Sequence, residues 1–141
     1  MAKYRVVFVE ESAEHLAEMS SAMLRLEKNF EDSESIDVIF RMAHSIKGMA
    51  ASLEYDSITE VAHALEDRMH AARDAGCVAS SDDLGRLFRG LETLESMVAV
   101  VRDTNDTPPH EPELVAILST VREESPAGVD SPKKKALSAT A

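Results

Sequence analysis

The sequence predicts an all-α protein: an antiparallel up-down-up-down four-helix bundle, a short fifth helix and a disordered C-terminal tail. Three observations carry this expectation. The five prolines stand at 108, 109, 112, 126 and 132, so the first 107 residues hold none, and glycine there is confined to positions 48, 76, 85 and 90. A hundred residues without a helix breaker suit long helices better than a turn-rich β fold. Apolar residues recur at spacings of three and four over most of that stretch, the period of one helix face. Aromatic residues make up only 4% and tryptophan is absent, which leaves the core to Leu, Ile, Val, Ala and Met.

The first helix is expected from Tyr4 to Lys28. Phe8, Ser12, Leu16, Met19, Met23 and Leu26 form its apolar line, with Val9, Ala13 and Ala17 beside it and Glu10, Glu11, Glu14 and Glu18 opposite. At 1.5 Å per residue it is about 37 Å long. A polar break follows, in which Asp32 or Ser33 caps a second helix running to Leu53. Ile36, Ile39, Ala43, Ile46, Ala50 and Leu53 give that helix a seam of the kind used between antiparallel neighbours. A third helix starts after Tyr55, where Ser57 and Glu60 read as an S-x-x-E capping box ahead of Ile58, Val61, Leu65, Met69 and Ala72; it stops near Gly76. Ser80 or Ser81 then caps a fourth helix through Leu84, Leu87, Leu91, Leu94, Val98 and Val101, ending before Asp103. The bundle thus occupies residues 4–103, a linker 104–112 and a fifth helix 113–123, with Leu114, Ile117, Leu118 and Val121 on one side. One domain covers residues 1–124, and 125–141, with two prolines and three consecutive lysines, reads as a flexible tail.

Composition narrows the function. Fifteen basic against 26 acidic residues give a net charge of -11, which disfavours nucleic acid, since phosphate neutralisation needs clustered Lys and Arg. The lone Cys77 forbids an internal disulfide and fits a reducing, cytoplasmic setting. The apolar run Val6–Val9 is too short for a signal peptide core or a membrane span. No G-x-x-x-x-G-K-[ST] or G-x-G-x-x-G loop is present, nor H-E-x-x-H, paired cysteines or G-x-S-x-G. The chain has nothing to hold ATP or a dinucleotide, so any nucleotide chemistry must use another polypeptide or domain.

The unusual residues lie on the second and third helices. With the second helix's seam as the core direction, His44 points roughly 130° away, onto an open face beside Arg41, Lys47, Gly48 and Ala51. Gly48 inside a helix costs ~1 kcal/mol relative to alanine and clears space one turn past the ring. On the third helix His63, Glu66 and His70 turn away from the Ile58–Leu65–Ala72 line, with Glu66 nearest the boundary.

These residues carry a resemblance. His44-Ser45-Ile46-Lys47-Gly48, followed by Met49-Ala50-Ala51-Ser52-Leu53, resembles the H-[ST]-[IL]-K-G signature of histidine phosphotransfer domains. Ala62-His63-Ala64-Leu65-Glu66-Asp67 resembles the A-H-x-x-E segment of the amino-terminal phosphotransfer domain of CheA-type chemotaxis kinases, and Phe8 to Leu16 is similar to that family's first helix. Met49 departs from the pattern, where a small residue is usual, and so does Glu54, where a glycine commonly ends the motif.

The resemblance implies a phosphoryl carrier of two-component signalling. His44 would take a phosphoryl group from ATP bound to a histidine kinase catalytic domain and pass it to an aspartate of a CheY-like response regulator. Glu66 would accept a hydrogen bond from His44 Nδ1, Lys47 and His63 would flank the ring, and Gly48, Arg41, Phe40 and Ala51 would dock the regulator. No cofactor is expected on this chain; ATP and Mg²⁺ come with the partners. The A-H-x-x-E segment and the aperiodic tail favour the phosphoacceptor part of a larger CheA-like kinase over a free-standing carrier. Two readings compete: a metal-binding helical bundle using His63, Glu66 and His70, spaced i, i+3, i+7, and a purely structural helical adaptor.

Overall fold

The computed structural model describes residues 2–119, which form five helices and, among the described residues, no strand. They are α1 (Ala2–Lys28), α2 (Ser33–Ser52), α3 (Asp56–Ala75), α4 (Ser81–Thr104) and α5 (Pro112–Ser119). Contacts run α1–α2, α2–α3, α3–α4 and α4–α1, closing a ring of four helices, and α5 lies against α3 and α4. The expected continuation of the fifth helix through residue 123, the apolar position of Val121 and the tail 125–141 lie outside the described residues.

The apolar lines read from the sequence form the interior. Phe8, Leu16, Met19, Met23 and Leu26 of α1 are buried, as are Ile36, Ile39, Ala43, Ile46 and Ala50 of α2, with Leu53 half-buried at its end. Ile58, Val61, Leu65, Met69 and Ala72 of α3 and all six α4 positions complete the core. Gly90 marks a close approach of α4 to α3: a Cβ there would lie 2.9 Å from Cδ2 of Leu65, so any other residue makes the Leu65 side chain shift.

The helix ends show what local chemistry decides. Asp32 caps α2, accepting from the Ser35 amide at 3.2 Å and from its hydroxyl at 3.0 Å, while Arg25 of α1 donates to the same hydroxyl oxygen. Ser80 caps α4 through the Asp83 amide. The S-x-x-E box expected at α3 does not form. Tyr55 occupies the cap position with no side-chain hydrogen bond, and Ser57, buried inside the helix, donates instead to the Pro108 carbonyl at 2.6 Å. Glu60 faces His110 at 2.9 Å. The segment after α4 satisfies both groups from outside, so neither turns back to the helix end. α4 also runs on to Thr104, closing at Asn105 with φ 64°, and α5 begins on Pro112, whose missing N–H is free of consequence in a first turn.

Two helices end in the left-handed turn of a Schellman motif. At α3 the residue is Gly76, φ 83°, with the Cys77 amide bonded back to the Ala72 carbonyl. At α2 the same turn is made by Glu54, φ 64°, with Tyr55 N–H on Ala50 O at 2.9 Å and Glu54 N–H on Ala51 O at 3.1 Å. The fold keeps the glycine geometry without the glycine, at a backbone strain of about 1 kcal/mol. Glu54→Gly is therefore expected to stabilise the protein by roughly 1 kcal/mol and raise its melting temperature by a few degrees. A lower melting temperature in a thermal scan would show that the Glu54 side chain earns its place by other contacts.

Candidate functional site

His44 stands mid-way along α2 on the side turned from the core, and its side chain is 63% exposed. Across the α2–α3 interface Glu66 presents a carboxylate that is only 11% exposed. Glu66 Oε2 lies 2.6 Å from His44 Nδ1, and Oε1 lies 2.5 Å from Lys47 Nζ. Burial alone would push the Glu66 carboxyl up, but hydrogen bonds from Lys47 and His44, with their charges, outweigh it and hold the group below its ordinary value of 4.5. Glu66 is thus an acceptor near neutral pH. A carboxylate cannot donate, so the hydrogen of the pair belongs to His44 Nδ1, and in the neutral ring this tautomer puts the lone pair on Nε2.

Helix geometry explains the assembly. Lys47 follows His44 by three residues and reaches along the same side of α2. Glu66 sits about 100° from the centre of the α3 core line, far enough out to reach across to α2 and far enough in to lose most of its water. Gly48, one turn past His44, is exposed, and a Cβ there would meet nothing within 4 Å. The space beside the imidazole is open.

The other expected site residues are placed as follows. His63 is exposed and faces Asp67 at 3.5 Å. Ala51 is exposed on the His44 side of α2. Phe40 differs from its expected exposure: it is half-buried, packed on the core, and covered by the Arg73 guanidinium 4.4 Å from its ring centroid. The two cations beside His44 are neutralised, because Arg41 pairs with Asp37 at 2.8 Å and Lys47 with Glu66. Asp37 and Arg73 border the site without a motif to announce them. Asp37–Arg41 has the i,i+4 spacing that betrays such pairs, whereas Arg73 meets Phe40 from another helix and leaves no local signature.

The metal reading fails on geometry. His63 turns to Asp67, His70 to Asp74, and Glu66 to His44 and Lys47. Among the described residues no group of three His, Cys, Asp or Glu side chains is placed to hold a metal ion.

Against known proteins, the model of the Hpt domain matches residues 3–124. The chain belongs to the Hpt domain family. This Hpt chain is 39% identical over 106 residues to the chemotaxis protein CheA of Bacillus subtilis, a match that covers 75% of the chain and 16% of that protein. It therefore spans about one sixth of the length of the curated relatives it matches. Among solved structures it is similar to the CheA phosphotransferase domain from Thermotoga maritima, at 36% identity and TM-score 0.67, covering 72% of this chain and 96% of that one. The phosphorylated P1 domain of CheA3, in complex with CheY6 from R. sphaeroides, shares the fold at TM-score 0.78 and 21% identity over 87% of this Hpt chain and 98% of that chain. No described helix is long and apolar enough to cross a membrane.

Proposed function

We propose that this Hpt domain is the phosphoryl carrier of a chemotaxis-type two-component system, with His44 as the phosphorylated residue. The observation that carries the reading is the 2.6 Å contact between Glu66 Oε2 and His44 Nδ1, which leaves Nε2 as an exposed nucleophile. A histidine kinase catalytic domain supplies ATP and Mg²⁺. His44 Nε2 attacks the γ-phosphorus, the Nε2–P bond forms, and the bond to the β–γ bridging oxygen breaks with its electron pair leaving on ADP. No proton has to move. The ring becomes cationic, and the Glu66 carboxylate, already on Nδ1–H, stabilises that charge as it develops.

Transfer onward reverses the logic. A response-regulator aspartate attacks phosphorus, the Nε2–P electron pair returns to the ring, and a neutral imidazole that kept its Nδ1 proton is the leaving group. Lys47 holds Glu66 ionised and in place. In this reading His63, on the same side of α3 as Glu66, donates to the phosphoryl oxygens, and Gly48 leaves room for the partner's backbone. The partner is a CheY-like response regulator, a reading supported by the CheY6 complex of the CheA3 neighbour. The 39% identity to the chemotaxis protein CheA of Bacillus subtilis supports a role as the phosphoacceptor of a CheA-like kinase.

The test is chemical. Incubated with a CheA kinase domain, ATP and Mg²⁺, the chain is expected to become a phosphoprotein whose label is lost in acid and kept in base, as a phosphoramidate is. An acid-stable label would point to a hydroxyl acceptor and contradict the reading.

A further inference from the structure

Arg73, in the last turn of α3, lies over the Phe40 ring with its guanidinium carbon 4.4 Å from the centroid. The carboxylate beside it, Oδ1 of Asp37, stands at 4.0 Å, too far for a hydrogen bond, and Asp37 gives its other oxygen to Arg41 at 2.8 Å. Among the described residues, nothing accepts a hydrogen bond from Arg73. The guanidinium carbon thus lies over an aromatic face, the side chain is 45% exposed, and its N–H fork is without a hydrogen-bond acceptor. It also lines a hollow of about 370 Å³ with Ser33, Glu34, Ile36, Asp37 and Gly76. Phe40 precedes His44 by one turn on the same side of α2, about 6 Å along the axis, and Arg73 follows Glu66 by two turns on the same side of α3.

We propose that Arg73, positioned by Phe40, is a docking residue that takes a surface carboxylate of the response regulator while His44 gives up its phosphoryl group; the inference rests on the carrier reading above. The planar fork of arginine matches a carboxylate bidentately, and the stack on Phe40 fixes its orientation before the partner arrives. The choice of regulator over kinase follows from charge. An aspartate that accepts phosphoryl does so beside Mg²⁺ held by further carboxylates, so the rim of such a site is acidic. A carrier with a net charge of -11 repels that rim except where it offers a cation, and Arg73 is such a group: Asp37 gives its hydrogen-bonding oxygen to Arg41, and Glu34, which lines the same hollow, makes no ion pair with Arg73. A nucleotide site is instead furnished with cations for the triphosphate and suits an acidic carrier without Arg73. Arg73 covers Phe40, which stands a helical turn before His44, and takes no part in the chemistry at phosphorus. The Nε2–P bond breaks and the Oδ–P bond forms without it.

The experiment loads the full chain with phosphoryl from a CheA kinase domain, then follows transfer to a CheY-type regulator across regulator concentrations and salt. For Arg73→Gln the half-saturating concentration is expected to rise about fivefold, in line with the loss of one well-oriented ion pair of ~1 kcal/mol. The maximal rate stays within about twofold, and the salt dependence weakens. Arg73→Lys recovers part of the shift, and Phe40→Leu, which frees the guanidinium, gives a smaller rise. Equal half-saturation for wild type and Arg73→Gln overturns the docking role while leaving the carrier reading intact. A fall in maximal rate at unchanged half-saturation also overturns it. A wild-type chain that takes up no phosphoryl group overturns both.

Discussion

A His44→Gln chain is expected to accept no phosphoryl group, and a Glu66→Gln chain to accept it at roughly one-hundredth of the wild-type rate. The first change removes the nucleophile. The second keeps the shape of a side chain that is 11% exposed and removes only its charge. Without that charge the ring's hydrogen is no longer held on Nδ1, the cation formed at transfer loses its counterion, and Lys47 faces a neutral amide. Initial rates of label incorporation measure the effect, and circular dichroism shows that the helices persist. A Glu66→Gln rate within about threefold of wild type would mean that the carboxylate serves packing and not the imidazole.

The pH dependence carries a sign of its own. The folded-state Glu66 carboxyl lies below its ordinary value of 4.5, so the stability it contributes is complete above about pH 4.5 and is lost as pH falls through the folded value. The difference in melting temperature between wild type and Glu66→Gln is thus expected to stay constant from about pH 7 to pH 5 and to close at lower pH.

The second large effect is structural. Arg68 is 1% exposed and paired with Asp83, itself 4% exposed in the first turn of α4. Arg68 also donates to the carbonyls of Leu118 at 3.0 Å and Ile117 at 3.1 Å, tying the end of α5 to α3. Arg68→Ala leaves the buried Asp83 carboxylate with only the more distant Arg86, at 3.8 Å, and is expected to cost about 3 kcal/mol in urea unfolding. Removing both charges, as Arg68→Met with Asp83→Leu, should recover most of that loss, because no uncompensated ion is left inside. A single-variant loss under ~1 kcal/mol would show that water reaches the pair. Kept well below its melting point, Arg68→Ala should still accept phosphoryl on His44, since Arg68 belongs to the α3–α4–α5 side.

These two networks mark the limits of what the residues disclose by themselves. The four apolar lines were legible because each helix buries one periodic face, and His44 was legible because its angle to the α2 line places it outside that face. Gly76 could be read as a terminator, and Glu54 as a glycine position filled by another residue. Arg68 lies about 60° from the centre of the α3 core line, within the buried face, but an arginine there reads as solvated until Asp83 and the α5 carbonyls are brought to it by the fold. Ser57 and Glu60 satisfied a local capping rule and were taken instead by the Pro108 carbonyl and His110. Arg41 and Lys47 look like bare charges beside His44 until their counterions are placed: Asp37 on the same helix, Glu66 on another. Asp37 apart, each of these contacts joins residues distant in sequence and outweighs a local preference.

The most direct measurement is nitrogen and phosphorus NMR on the chain labelled with ¹⁵N-histidine, before and after phosphorylation by a CheA kinase domain. The predicted result is a phosphorus-coupled Nε2 on His44, with Nδ1 of the same ring still carrying its hydrogen toward Glu66. Phosphorus on His44 Nδ1, or on the ring of His63 or any other histidine, would contradict the account.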